Sequence, residues 1–484
     1  SLKATLLVNR IEEATGVRIS IRDIFQRVTV AGICFAVAEG GGMYEPIPKA
    51  EEKEYYPLSF SQKMYFLTGK LWDYNGLEIS HNIPMAFKVT GAFDPEKAEA
   101  MFETLMQRYE ILRTSFHLVN GETVMKIHDR AEMDITYEEY SAGESIETLA
   151  SDFVRPFDLT AVPLMRAKVI KIEEEAFLLC LDSHHIISDG ISSELLLEEF
   201  ITLYTGGSLS PVRLQYKDYS EWMLGRQLDS QWEYWNNHFA KGMPKLQLPE
   251  DYPRSKEKKF EADVIVKKLD QKLCEKIVRI GQKLDMTEYM SWLSMIMILL
   301  GKYSVAEGVV VGSSVSGRTH RDTENMQGVF VNRLLMSSKP EKEKSLIGFL
   351  QEVKENCLMA YENQDVSFAA LAKKFDPQSE KDESRMPLYK VHYTFLERAD
   401  DVLDVNVEGL RFEDVKLDII DREAKFDLAC SIRVFESDYM VVFKYRTDLF
   451  KENTIEVMVE EFIQILERLD EAQDQILGNL SHEV

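Results

Sequence analysis

Ser183-His184-His185-Ile186-Ile187-Ser188-Asp189-Gly190 lies between two runs of opposite character. Before it, residues 176–181 are an unbroken apolar run with strand character. After it, residues 192–204 carry Leu195, Leu196, Phe200 and Ile201 on a helical period. A strand that hands over to a helix is where an α/β protein exposes side chains at a cleft. The stretch therefore predicts an α/β fold with a functional loop at its centre. With nine histidines in 484 residues, an adjacent pair is expected by chance in only about one chain in six. An acid and a glycine at fixed offsets make the coincidence far rarer.

The pattern continues on both sides. Helical periods cover 95–109 and 192–204, with strand-like runs at 164–172 and 176–181. A polar stretch with Pro244, Pro249 and Pro253 divides the region. Helices at 271–284 and 286–302, a strand at 308–312 and a closing helix at 453–469 follow it. This reads as two lobes, 55–226 and 227–484. In residues 1–38, Leu2, Leu6, Leu7, Ile11 and Ala14 suggest one helix face ending at Gly16, and 21–27 and 29–38 give two more short helices. So small a unit buries little apolar surface and is expected to lack a front portion. Gly40, Gly41, Gly42, Pro46, Pro48 and the charged run to Glu54 read as an exposed linker over 39–54. There is no internal repeat and no low-complexity tract.

Hydrophobic residues make up 45% and charged residues 29% of the chain, the balance of a globular protein. The formal charge of -25, from 57 basic against 82 acidic residues, repels phosphate backbones and anionic membranes and argues against both as partners. The five cysteines are dispersed and include no CxxC, so neither a disulfide framework nor a zinc site is indicated. Arg10, Glu12 and Glu13 interrupt the first apolar stretch, unlike a signal peptide. Residues 290–300 are too few to span a bilayer and predict a buried helix. A soluble, cytoplasmic location is the expectation.

Each residue of the central stretch also has a plain structural reading. Asp189 before a helix is a natural N-cap, and Gly190 can supply a backbone angle that other residues resist. Two histidines at a cleft-facing junction favour chemistry, because imidazole titrates near neutral pH. Metal binding is disfavoured, since adjacent side chains diverge and no third ligand stands nearby.

The stretch resembles the HHxxxDG core of condensation domains in non-ribosomal peptide synthetases, and the resemblance extends from Tyr55 to the end. Ser59-Phe60-Ser61-Gln62 with Tyr65-Phe66-Leu67 is similar to the family's first block. Arg108-Tyr109-Glu110-Ile111-Leu112-Arg113-Thr114-Ser115-Phe116 resembles RHExLRTxF. Pro156-Phe157-Asp158-Leu159 with Pro163-Leu164-Met165-Arg166-Ala167, and Tyr216-Lys217-Asp218-Tyr219 with Trp222, follow in order. Gly317-Arg318 and Gly328-Val329-Phe330-Val331-Asn332 come next, then Asn363-Gln364-Asp365 and Ser384-Arg385-Met386-Pro387-Leu388-Tyr389. The chain departs from the family pattern at Tyr109 (usually His), Arg333 (usually Thr) and Ser367 (usually Pro), and the basic residue expected soon after Gln62 is missing or shifted. Residues 1–38 are similar to the back part of a peptidyl carrier domain: Ser1-Leu2-Lys3-Ala4 matches the end of its GGxSLKA signature.

The resemblance implies a two-lobed, V-shaped, chloramphenicol-acetyltransferase-like α/β fold, preceded by a partial helical carrier. It implies amide formation between two carrier-bound thioesters, with His185 facing the attacking amine as base or as positioner, and His184 structural. Asp189 is expected to pair with Arg108 or Arg113, and the Gly190 N–H to donate near the reacting carbonyl. Ser1 would carry 4'-phosphopantetheine, the only cofactor implied. Upstream and downstream carrier and adenylation domains would be the partners of a monomeric fragment. A heterocycle-forming relative would carry aspartates in place of the histidine pair, and an epimerising one an extra histidine-rich motif near Ser59. A silent recruitment module and an acyltransferase using another thioester donor are the alternatives.

Overall fold

In the computed structural model the nine residues of strand Ala176–His184 are all buried. The structure describes residues 2–72, 79, 81–140, 145–255, 261–304, 308–381, 385–397, 405–407, 409–415, 417, 424–435, 438–470 and 475–480. Burial on both faces explains why 176–181 is an apolar run and not an alternating one. The strand is central in a six-stranded sheet, antiparallel to Asn82–Thr90 on one side and to Met165–Glu173 on the other. Asp134–Glu139 adds a parallel edge to Met165–Glu173. A second six-stranded sheet runs in the order 262–268, 438–446, 428–435, 391–396, 309–315, 332–338, with parallel neighbours on both sides of Val391–Leu396. The fold is mixed α/β, as expected.

Helices cover these sheets where the sequence periods fall. Pro95–Arg108 starts on an Asp94 N-cap with proline in its first turn. Glu288–Gly301 buries every residue from Met290 to Leu300, and Glu452–Arg468 buries the stripe Ile455, Met458, Val459, Phe462, Ile465 and Leu466.

Three expectations need correction. The lobe boundary of 227–484 does not hold, because Val405–Val407 and Leu410–Asp414 pair onto Asn82–Thr90 and complete the first sheet. Met326, Val329 and Phe330 likewise pack in the first lobe's core. Sequence order could not reveal that late segments return to the earlier sheet. Next, residues 39–54 are mostly exposed yet anchored at several points, so they do not form a free linker. Gly42–Met43 pairs with Val17–Arg18, Ile47 is buried, and the amides of Ile47 and Ala50 donate to Asp322 at 2.9 Å and Asp218 at 2.8 Å. Finally, helix Leu2–Thr15 does not bury Leu6 or Leu7. Leu6 and Leu7 are exposed, and Ala4, Val8 and Glu12 form the inner face. The Glu12 carboxylate is held there by Arg18 at 2.9 Å, so an ion pair sets the helix's rotation. Ile21–Gln26 and Val30–Glu39 complete this small unit around Val8, Ile19 and Ala36.

Candidate active site

The Ala176–His184 strand ends in the histidine pair. Asp189, extended at φ -136° and ψ 177°, caps helix Gly190–Tyr204 by accepting from the Ser192 amide. Two tight contacts shape the loop between them. The His185 amide donates to the His81 carbonyl at 2.7 Å, and the Ile187 amide donates to the His184 carbonyl at 3.0 Å.

The two imidazoles have different partners. His184 is buried, and its Nδ1 accepts from the Ile186 amide at 3.0 Å. Burial, with the neighbouring His185 and Lys425 adding to it, pushes its pKa down to about 3. His185 is half-buried, and its Nδ1 lies 2.9 Å from the Ser188 carbonyl. A carbonyl only accepts, so Nδ1 carries the hydrogen and Nε2 keeps its lone pair. Desolvation, reinforced by Lys425, lowers His185 to about 4, so it is neutral at pH 7. Its ring stacks on Tyr65 at 4.5 Å, and His81 packs at nearly a right angle to the same tyrosine at 5.3 Å.

Asp189 is not paired with Arg108 or Arg113. Its Oδ1 meets Arg318 Nη2 at 3.2 Å, and its Oδ2 accepts from the Phe330 amide at 2.9 Å. Arg318 also donates to Ser192 Oγ at 2.7 Å and the Met326 carbonyl at 2.8 Å, and lies 4.1 Å over the Phe330 ring. Arg108 instead faces Glu199 at 3.3 Å, and Arg113 donates to the His128 carbonyl. Arg108 thus meets the helix that Asp189 caps ten residues further along, at Glu199. Gly328 permits this junction: at φ +144° a side chain there would run into the Tyr216 ring. Gly190 has no such role, since its φ is not left-handed and a Cβ would meet nothing within 4 Å. Ser1 lies outside the described residues.

The other blocks converge beneath this loop. Ser59 Oγ meets Tyr216 Oη at 2.7 Å, Ser61 Oγ donates to the Val331 carbonyl at 3.0 Å, and Gln62 Nε2 reaches the Ile186 carbonyl at 3.5 Å. Asn332 Nδ2 donates to the Gln364 and Val366 carbonyls. Tyr65, His81, Ser192 and Arg318 were not singled out as site residues from the sequence. Tyr65 and Arg318 sit inside quoted blocks, which was the available signal; His81 carried none. Among the described residues no group of three or more His, Cys, Asp or Glu could hold a metal ion, and no helix is long and apolar enough to cross a membrane.

Known proteins share this chain's sequence pattern and fold. The Condensation domain family matches residues 52–481. Bacitracin synthase 3 of Bacillus licheniformis is 38% identical over 489 residues, covering 99% of this chain and 8% of that protein. Gramicidin S synthase 2 of Aneurinibacillus migulanus is 34% identical over 487 residues, covering 99% of this chain and 11% of that protein. The chain thus spans about a tenth of the length of these curated relatives. The fold is shared with the complex of the X-domain and OxyB from teicoplanin biosynthesis (TM-score 0.78, 21% identity, 91% of this chain and 99% of that one). It is shared too with a holo four-domain nonribosomal peptide synthetase bound to AMP and glycine (TM-score 0.76, 22% identity, 90% and 34%). Since the family match takes in most of the sequence and the two-sheet α/β fold is that of solved condensation domains, the chain belongs to the condensation domain family.

Proposed function

We propose that this domain forms an amide bond in non-ribosomal peptide synthesis: the free amine of a downstream aminoacyl thioester attacks an upstream acyl or peptidyl thioester, with an L-configured donor. The observation that carries the reading is the fixed tautomer of His185. Its Nδ1–H is committed to the Ser188 carbonyl at 2.9 Å, so a neutral Nε2 is available to accept from an amine N–H. The C–N bond forms, the C–S bond breaks, the amine loses a proton and the departing thiolate gains one. A group held near pKa 4 is a weak base at pH 7, which favours positioning the amine over removing its proton in advance. Alignment of tethered reactants is itself worth about 7–11 kcal/mol in the best intramolecular cases. The Gly190 amide, in the helix's first turn and without an intrahelical partner, is the candidate donor to the reacting carbonyl oxygen.

Residues 1–38 are read as the back part of a carrier domain. The relatives' alignments reach 99% of this chain and so include most of the residues before 52. Ser1 directly precedes helix Leu2–Thr15 in the sequence, and a helix N-terminus suits a phosphodiester. When attached, a 4'-phosphopantetheine arm supplies the thioester. The anchoring of Ile47 and Ala50 shortens the tether and favours this carrier as donor, with an acceptor carrier and adenylation domains supplied by the rest of an assembly line.

The test loads the complete upstream carrier with an acyl group whose amine is blocked, and supplies an aminoacyl group on a separate carrier. Condensed product on the separate carrier supports the reading. Accumulation on the attached carrier reverses the direction, and no product with any donor overturns amide formation.

A further inference from the structure

Four arginines are buried among the described residues: Arg166, Arg318, Arg333 and Arg446. Three of them face carboxylates: Arg166 meets Asp182 at 3.2 Å, Arg318 meets Asp189 at 3.2 Å, and Arg446 meets Asp448 at 2.7 Å. Arg333, 7% exposed, has no carboxylate partner among the described residues. Its guanidinium meets the Met386 sulfur at 3.5 Å and lies 5.5 Å from the Phe426 ring centre and 5.9 Å from that of Phe368. These are soft, neutral neighbours. Burying a cation beside them is unfavourable unless an anion joins it.

The surroundings point towards the reaction centre. Across the sheet Arg333 is registered opposite Ser314, which is exposed, so this face borders open space. Ser314 Oγ lies 3.5 Å from His392 Nε2, and that imidazole is kept neutral by burial. The charge of Arg333 is felt at His81 and at Tyr65, the ring on which His185 stacks. It also occupies the position where the family pattern has threonine, so it is a feature of this chain beyond the shared blocks.

We propose that Arg333 binds a carboxylate on one of the two condensed substrates, an acidic aminoacyl side chain or a dicarboxylic acyl chain. This rests on the thioester-condensing reading above. A thioester's own carboxyl is esterified, so the anion must be an additional group. A planar guanidinium beside aromatic rings is suited to bidentate recognition of a carboxylate. The phosphodiester of a carrier arm is the other anion of similar chemistry.

The test uses the full chain and phosphate-free pantetheine derivatives in matched pairs, aspartyl against asparaginyl as acceptors and N-acetylglutamyl against N-acetylglutaminyl as donors. Stable amide analogues give binding constants by calorimetry, and the thioesters give kcat/KM. The carboxylate member should be favoured by about tenfold or more in one arm. Arg333→Gln should bring that ratio to within about twofold, while Arg333→Lys should retain part of it. No preference in either arm, or one that survives Arg333→Gln, overturns the proposal. It is equally overturned if adding the 4'-phosphate to a neutral derivative gives the larger Arg333-dependent gain. A binding preference without turnover for any pair leaves this inference standing and counts against amide formation instead.

Discussion

Arg318 holds Asp189 across 129 residues of chain, Nη2 to Oδ1 at 3.2 Å, with both side chains almost fully buried. The contact joins the loop of the first lobe to a segment from the second half of the sequence, and Asp189 adds the Phe330 amide to the same junction. Asp189→Asn keeps the shape but leaves the guanidinium uncompensated, and breaking such a pair from one side costs about 3–5 kcal/mol. The variant should show a lower denaturation midpoint as well as lower activity. Arg318→Met combined with Asp189→Asn should be less unstable than the two separate losses summed. An Asp189→Asn protein with an unchanged midpoint and no activity would assign Asp189 to chemistry instead of architecture.

The two histidines should separate experimentally. His185→Ala removes the free Nε2 together with the stack on Tyr65 and the hydrogen bond to the Ser188 carbonyl, from a ring that is only half-buried. It should lower the condensation rate about 100-fold or more, with a smaller fall in melting temperature than His184→Ala. His184→Ala strands the buried Ile186 amide, which donates to that ring at 3.0 Å, at a cost of about 1–3 kcal/mol. Thermal melts and turnover assays on both variants decide the matter. Equal loss of stability in the two would contradict the division of roles.

The histidine loop was legible because its evidence is local: an apolar strand, a capping aspartate and a helical period are all read within 30 residues. The Asp189 N-cap and the helix after it came from the same logic. The partner of Asp189 did not, because Arg318 and the Phe330 amide arrive from more than a hundred residues away. Nothing in a single chain ranks Arg318 above Arg108 or Arg113. The return of Leu410–Asp414 to the first sheet was hidden for the same reason. In helix Leu2–Thr15 periodicity pointed to leucines, whereas the Glu12–Arg18 ion pair sets the buried face. A rule that equates burial with hydrophobicity misses a paired carboxylate.

Stability should fall in mild acid. His184, His185 and His392 are held at about 3, about 4 and about 3, chiefly by burial. These values lie below the ordinary 6.5, so the unfolded chain binds more protons. Their contribution is then complete above pH 6.5 and is lost as pH falls towards 4, by about 1.4 kcal/mol per pH unit for each ring. Asp182, raised to about 7 by burial, acts in the opposite sense between about pH 4 and 7 and offsets one histidine. Urea midpoints at pH 5 and 7 should therefore differ clearly. His392→Phe, which keeps a ring stacked on Phe426, should reduce the difference by about one histidine's share. An unaltered slope in that variant would show that His392 is not buried neutral.

Gly190 allows backbone and space to be tested apart. It opens helix Gly190–Tyr204 with no left-handed φ, and a Cβ there would meet nothing within 4 Å. Gly190→Ala should therefore fold and melt like the parent while keeping the amide donor. Gly190→Leu projects into the open space beside Asp189 and should lower kcat/KM by about tenfold or more with no loss of stability. Gly190→Pro tests the N–H itself. Proline suits the first helical position, and Asp189 at φ -136° and ψ 177° already has the extended backbone that a residue before proline requires. The proline variant should thus stay folded and lose only the donor. If that amide stabilises the developing oxyanion, kcat should fall about 100-fold or more with KM little changed. Parent-like turnover in Gly190→Pro, together with a deficit in Gly190→Leu, would reduce the glycine's role to clearance for the substrate.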